Sequence, residues 1–250
     1  MKAGQDRSAS GQSERGAGLF PNTHWSIVQR AGSQSSTALN ALFTQYRPAM
    51  LAYLVARGDL GSQAEDRVQG FCLHLLQRDF LANVGREKGK FRTFLLNSLQ
   101  NYIRDQCDRE TALKRGAGSE PDSLEETGSD GQPLHDPEAG TPSADVQYDR
   151  AWAQAILQNA LRRLHEECGR TGHAPLCQAL EPVLYQEDTA PSYREVAERL
   201  GMTEGAVKVA AHRIRARLKR LIREETLQTV ASPQDLEEEL GYLISLFARK

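Results

Sequence analysis

The chain has 250 residues, of which 39% are hydrophobic, and a formal net charge of -2. This composition suffices for one or two small hydrophobic cores and excludes a fibrous or wholly disordered protein. The polar first 18 residues lack a signal-peptide core and no apolar run could cross a bilayer, so we expect a cytoplasmic protein with no membrane partner.

The N-terminal part of the chain is predicted to hold a tail followed by helices. Residues 1–20 are rich in glycine and serine and cannot bury enough apolar surface to offset ordering, so we expect a disordered tail. A helical domain is expected over 21–109. It begins with a short helix around Trp25 and continues with a longer helix over 39–54, which Pro48 bends or divides.

Two further helices of this domain have a distinct polar side. Ser62 and Glu65 have the spacing of a capping box, which predicts a helix start. The exposed side of that helix carries Asp66, Arg67 and Gln69. A polar loop over 85–90 then precedes a helix with apolar residues at helical spacing. The polar positions of this loop and helix are Arg86, Lys88, Lys90, Arg92, Asn97 and Asn101.

Residues 110–147 differ in composition from the rest of the chain. Between 116 and 146 there are eight acidic residues and no lysine or arginine, which predicts a flexible acidic linker. Helical periodicity resumes over 148–225, and in the segment 226–250 a proline follows Ser232 as at a helix start. The predicted fold is therefore all-α, with two small helical domains, a linker between them and a C-terminal helical extension.

A helix-turn-helix pattern lies within the second domain. Ser192 and Glu195 have the spacing of another capping box, Gly201 suits a left-handed helix end, and Thr203 can cap the next helix. Residues 203–223 contain seven lysines or arginines and one glutamate, opposite an apolar stripe. A capped helix, a tight turn and a basic amphipathic helix together predict a DNA-binding helix-turn-helix.

The cysteines predict neither a disulfide framework nor a metal site. Cys72, Cys107, Cys168 and Cys177 are widely spaced and contain no CxxC pair, so we expect free thiols. His165, Cys168, His173 and Cys177 lie within 13 residues and could in principle bind zinc. They lack the short paired spacings of known zinc modules, and we expect a polar helix connection there, with no metal and no other cofactor.

Three motifs, in this order, carry a resemblance to a known family. They are AEDRVQGFCLHLL at 64–76, KFRTFLLNSLQNYIRDQCDR at 90–109, and SYREVAERLGMTEGAVKVAAHRIRARL from Ser192 onwards. With an acidic linker between the second and the third, the arrangement resembles the extracytoplasmic-function sigma factors of bacterial RNA polymerase. The resemblance covers roughly residues 38–109 and 150–224.

The resemblance implies a sigma factor that binds core RNA polymerase and directs promoter recognition, DNA opening and transcription initiation. Residues 21–109 would bind the polymerase and the melted minus-ten element, and 148–225 would read the duplex minus-thirty-five element. The implied polymerase contacts are Asp66, Arg67 and Gln69. The implied contacts to the melted non-template strand are Arg86, Lys88, Lys90, Arg92, Asn97 and Asn101. Those to the upstream duplex are Lys208, Val209, His212, Arg213, Arg215, Arg217 and Lys219.

Some positions depart from the family pattern, and one alternative function stays open. Arg67 stands where a leucine is expected, Gly70 where a glutamate is expected, and Ala210 where relatives often carry a polar or basic residue. The alternative is a stand-alone helix-turn-helix regulator whose N-terminal helices dimerise or sense a ligand. An anti-sigma protein or a kinase-linked regulator is a further candidate partner. We expect no enzyme, since no nucleophile and base, phosphate loop or carboxylate pair stands out.

Overall fold

Eight α-helices and no strand are formed by the residues that the computed structural model describes, 36–77, 90–116, 142–184 and 190–248. This confirms the all-α fold class. None of these helices is both long and apolar enough to cross a membrane. The predicted tail, the short helix around Trp25 and most of the predicted linker lie outside the described residues. In chain order the helices are α1 (Ser36–Ala56), α2 (Ser62–Gln77), α3 (Phe91–Gly116), α4 (Ala144–Arg170), α5 (Ala174–Leu184), α6 (Tyr193–Leu200), α7 (Glu204–Leu227) and α8 (Pro233–Ala248).

The first hydrophobic core lies between α1, α2, α3 and the beginning of α4. Tyr46, Phe71, Phe91 and Trp152 are among its largest buried side chains. Helix α1 packs more extensively against α4 than against α2. Pro48 lies inside α1 without dividing it, because buried residues on both sides of the proline hold the helix in this core.

Helix α4 belongs to two cores, which the predicted domain limits did not anticipate. Trp152 and Ile156, in its first half, are buried in the first core, whereas Leu164 is buried with residues of α5 and α7. Leu243 of α8 also enters the first core. Residues 148–225 therefore do not pack separately from α1–α3, because the apolar positions of a 27-residue helix meet different neighbours at its two ends.

Both ends of the predicted linker are helical. Residues 110–116 continue α3 and residues 144–147 open α4, although both segments were expected to lie in the linker. After the last buried position of α3, the chain still contains good helix formers such as alanine, leucine, lysine and arginine. At the other end, the Ser143 side chain accepts a hydrogen bond from the backbone N–H of Val146 at 3.4 Å and caps α4.

A second core joins the end of α4 to α5, α6 and α7. Leu180, Val196, Val207 and Ala211 are buried in the part formed by α5, α6 and α7. Leu221 of α7 is buried against α4 and α5. The helix-turn-helix is therefore mounted on α4, the same helix that enters the first core.

One pair of cysteines overturns the expectation of four free thiols. Cys168 of α4 and Cys177 of α5 form a disulfide, with their Cα atoms 6.5 Å apart. The pairing follows from the turn between the two helices, in which Gly172 adopts a left-handed φ of 73° and lets the chain reverse direction. Cys72 and Cys107 are free thiols, and burial raises the pKa of Cys72 to about 11.

Candidate nucleic-acid interface

The helix-turn-helix forms with the predicted caps. The Glu195 backbone N–H donates to Ser192 Oγ at 3.2 Å, and the Ser192 backbone N–H donates to Glu195 Oε2 at 2.7 Å, so the capping box is confirmed. Gly201 ends α6 with a left-handed φ of 64°, and Thr203 Oγ1 accepts from the Ala206 backbone N–H at 3.2 Å. These local bonds set the angle at which α7 leaves the turn.

The beginning of α7 presents an exposed face opposite its buried stripe. Val207 and Ala211 point into the core, whereas four of the seven residues assigned to the upstream duplex lie outside on the same turns of the helix. Val209 is 52% exposed, so its side chain is free to touch another molecule. These four residues, which we call the reading face, are Lys208, Val209, His212 and Arg213.

Lys208 is the only member of the reading face with an ion pair among the described residues. Its Nζ lies 2.7 Å from Glu204 Oε1, one helical turn earlier, and both side chains are about half exposed. This hydrogen bond raises the pKa of Lys208 and lowers that of Glu204. Exposed pairs of this kind contribute little stability, so a DNA phosphate or base edge can replace the glutamate at small cost.

Arg215 and Arg217, which were assigned to the upstream duplex, are engaged within the protein. Arg215 donates to the Tyr193 hydroxyl at 2.9 Å and to the Val183 carbonyl at 3.1 Å. Arg217 makes a bidentate contact with the Glu167 carboxylate on α4, and its hydrogen bonds lower the pKa of Glu167. Their long side chains reach back to α4, α5 and α6, whereas Lys219 stays exposed.

The departure at Ala210 has a structural reason. Ala210 is half-buried and packs against the core of α5, α6 and α7. It also lines a cavity of about 660 Å³ between the end of α4, the beginning of α5 and α7, together with Met202 and Ala206. Its side chain therefore forms part of a wall beside the reading face.

Arg92, one of the residues assigned to the melted strand, is buried in this conformation. Only 9% of the residue is exposed. Its Nε donates to Glu239 Oε1 and its Nη1 to Asp149 Oδ1, both at 2.6 Å. Burial alone would lower the pKa of Arg92, but hydrogen bonding to Glu239 and the charges of Glu239 and Asp149 raise it. Neither acid is near Arg92 in sequence, so residue spacing gave no sign of them.

The other residues assigned to the melted strand have different surroundings. Lys90 Nζ lies 3.3 Å from Glu239 Oε2 and 3.5 Å from Glu238 Oε2. Asn97 and Asn101, one turn apart on α3, are exposed. Arg86 and Lys88 lie outside the described residues. The two asparagines therefore share an open face, and the lysine is paired with α8.

The assigned polymerase-contact helix α2 presents Asp66 and Gln69 to solvent. Both residues line a groove of about 490 Å³ between α1 and α2. Arg67 instead pairs with Asp59 at 2.8 Å, so it holds the turn before α2. In the first turn of α2, Glu65 pairs with Arg47 of α1 at 3.0 Å.

Two leucines on α2 were missed as candidate contact residues. Leu73 is 50% exposed and Leu76 is 43% exposed, and both line the groove with Asp66 and Gln69. Leu73 follows Gln69 by four residues and Asp66 by seven, a helical spacing that could have shown the shared face.

The histidines of the candidate zinc cluster have other partners. His165 Nε2 lies 3.3 Å from Glu181 Oε2, and His173 Nδ1 lies 3.1 Å from Thr171 Oγ1. Cys168 and Cys177 are joined to each other. Across the described ranges, no group of three or more such side chains is placed to hold a metal ion.

Comparison with known proteins finds one similarity, and it falls on the helix-turn-helix. Residues 192–218 match the family described as sigma-70, region 4. This family is a DNA-binding domain of transcription factors. No curated protein and no solved structure matches the chain. The matched segment contains the capping box, the Gly201 turn and the whole reading face. Residues 192–218 are therefore similar to the region 4 helix-turn-helix of sigma-70 factors.

Proposed function

We propose that the chain is a sigma factor of the extracytoplasmic-function type. It binds core RNA polymerase in the cytoplasm, directs it to promoters, and takes part in DNA opening and transcription initiation. The observation that carries this proposal is the exposed reading face on a region 4 helix-turn-helix. Lysine and arginine there can pair with guanine edges in the major groove, and Val209 can meet a thymine methyl group.

The N-terminal half supports a sigma factor over an autonomous DNA-binding protein. On α2, two exposed polar residues, Asp66 and Gln69, flank a groove that also exposes Leu73 and Leu76. An exposed apolar patch with a polar rim is typical of a protein interaction surface. We propose that core polymerase covers this groove, which we call the α1–α2 groove.

The decisive experiment is transcription by a reconstituted holoenzyme. The full chain and bacterial core polymerase should together give run-off transcripts from a fragmented genomic library, and core polymerase alone should not. Failure of the chain to bind core polymerase in a pull-down contradicts the proposal. Specific binding of duplex DNA without polymerase would then favour the stand-alone regulator.

Arg213→Ala tests the reading face. Because a bidentate contact to a base edge discriminates by about 1–3 kcal/mol, we expect the variant to lose preference at one base pair of the upstream element. Competition among duplexes that carry every single base-pair change measures this. Lys219→Ala is the control. Loss of a phosphate contact weakens binding to all the duplexes alike and lowers the slope of log affinity against log salt by about 1. An unchanged base preference in the Arg213 variant would show that Arg213 contacts a phosphate and not a base.

Asp66→Ala tests the α1–α2 groove. We expect Asp66 to belong to the minority of interface residues whose truncation costs more than about 1 kcal/mol, so core polymerase should bind the variant roughly tenfold more weakly. The matched control is Asp105→Ala, which removes an exposed aspartate from α3. Equal affinities of the two variants, measured by titration of labelled polymerase, would place the contact elsewhere.

A further inference from the structure

The first turn of α3 lies against the C-terminal part of the chain. The Phe91 backbone N–H donates to the Thr229 carbonyl at 3.0 Å. On either side of Phe91, the cations of Lys90 and Arg92 both reach Glu239, whose side chain is fully buried. Two of the four cations assigned to the melted strand thus share one acid of α8, with Glu238 at the edge of the cluster.

Aromatic rings complete the surroundings of Arg92. Its guanidinium carbon lies 4.4 Å from the ring centre of Tyr242 and 5.2 Å from that of Trp152. The Tyr242 hydroxyl donates to Asp149. Burial is the main cause that raises the pKa of Tyr242 to about 12, and this hydrogen bond is the second. Arg92 therefore meets two carboxylates and two aromatic rings. Phosphates and unstacked bases of a single strand offer an arginine the same two kinds of contact.

The rest of α8 packs against the protein along one face. Leu236 and Leu243 are buried, but Ile244 is 65% exposed and Phe247 is 47% exposed. A buried ion network adds little net stability compared with apolar packing of the same volume. The position of α8 over Lys90 and Arg92 therefore points to a role in controlling access to these two cations.

We propose that α8 is an internal competitor of the DNA strand. Glu238, Glu239 and Tyr242, which we call the acidic latch, occupy the start of α3 in the free chain, and a melted strand displaces them. This inference rests on the proposed function, because that function assigns the start of α3 to single-stranded DNA. Release of the acidic latch exposes Lys90 fully. It also frees the Arg92 Nε, which otherwise bonds to Glu239.

The test compares two full-length variants of α8. Glu239→Gln removes the central charge of the acidic latch. Glu237→Gln removes the same charge from the same helix, at a residue that pairs with Arg223 2.6 Å away. The probe is a fluorescein-labelled single-stranded oligonucleotide of mixed sequence, titrated by anisotropy at several salt concentrations.

We expect Glu239→Gln to bind the oligonucleotide at least about threefold more tightly than Glu237→Gln. The slope of log affinity against log salt should steepen by about 0.7 for each released cation. Adding Lys90→Gln to Glu239→Gln should remove most of the gain, which a general loosening of the fold would not do. Equal binding by the two single variants, or no measurable binding by either, overturns the proposal.

A second measurement applies if Glu239→Gln fails to fold by circular dichroism. Hydrogen exchange of the wild-type chain is followed with and without saturating oligonucleotide, and we expect the amides of α8 to lose protection in its presence. Unchanged protection of α8 with bound oligonucleotide overturns the proposal. Run-off transcription by the wild type separates this inference from the proposed function. If transcripts are normal but protection of α8 does not change, only the inference about the acidic latch is rejected. If no transcripts form, the proposed sigma factor function is rejected.

Discussion

At the scale of single residues, Gly70 shows how one missing side chain decides a contact. A Cβ at this position would lie 2.6 Å from the Tyr102 hydroxyl oxygen and 3.7 Å from the ring carbon that bears it. Tyr102 in turn packs beside Phe71 and His74, with ring centres 5.6 and 5.2 Å away. The departure from the expected glutamate therefore makes room for the tip of the tyrosine.

Replacement of Gly70 tests this packing. Gly70→Ala should destabilise the wild type by about 1 kcal/mol, because overpacking costs about 1–3 kcal/mol and the gain in helix propensity is about 1 kcal/mol. In a Tyr102→Phe background the hydroxyl is gone, and the same alanine should stabilise the protein. Urea unfolding of the four proteins in the double-mutant cycle measures both effects. A destabilising alanine in both backgrounds would contradict the contact.

At the scale of elements, the helix-turn-helix depends on bonds between residues three apart. The Ser192 hydroxyl and the Glu195 carboxylate each satisfy a backbone N–H that the beginning of α6 leaves without a helical partner. Thr203 does the same for α7. Since α6 has only eight residues, its cap decides a large part of whether it forms.

Ser192→Ala should therefore lower the free energy of unfolding by about 0.5–2 kcal/mol. Ser192→Asp is the matched control, because an aspartate oxygen can accept the same hydrogen bond from the Glu195 backbone N–H. Urea titrations followed by circular dichroism measure both variants. An aspartate variant as unstable as the alanine variant would show that the cap is not the cause.

The cap also predicts a dependence on pH. Hydrogen bonds from the Ser192 backbone and hydroxyl lower the pKa of Glu195 in the folded chain. A carboxyl of this kind stabilises the fold above its unfolded pKa, about 4.3, and the contribution disappears as pH falls through the lower folded pKa. The stability difference between wild type and Glu195→Gln should be present at about pH 7 and absent well below about pH 4. Urea midpoints across this range provide the measurement, and a constant difference would contradict the assignment.

At the scale of the whole molecule, Arg92 ties together three helices that are distant in sequence. Its guanidinium on α3 bonds to Asp149 on α4, 57 residues later, and to Glu239 on α8, 147 residues later. Tyr242 adds a contact to Asp149 from the same side. This network, together with Leu243 in the first core, places the C-terminal extension on the N-terminal half of the chain.

Arg92→Met should lower the free energy of unfolding by about 3–5 kcal/mol, because it removes the guanidinium from two buried carboxylates. Glu239 then keeps only Lys90, and Asp149 keeps only the Tyr242 hydroxyl. Arg162→Met is the matched control. Arg162 forms an exposed pair with Glu166 on α4, and exposed pairs of this kind contribute about 0.5 kcal/mol or less. Urea unfolding of both variants tests the difference. A cost for Arg92→Met as small as that of the control would contradict the buried network.

The sequence by itself determined the helical class, the two caps, the Gly201 turn and the exposed reading face of α7. Each of these depends on residues within about one helical turn of each other, so spacing along the chain is sufficient to predict them. Tertiary structure alone decided which basic residues are engaged inside the protein. Arg92, Arg215 and Arg217 find partners on other helices, and nothing in local spacing reports a partner 50 or more residues away, as Glu167 is from Arg217 and Glu239 from Arg92. The same reason applies to α4, whose two ends enter different cores because the path of the chain brings α1 to one end and α7 to the other.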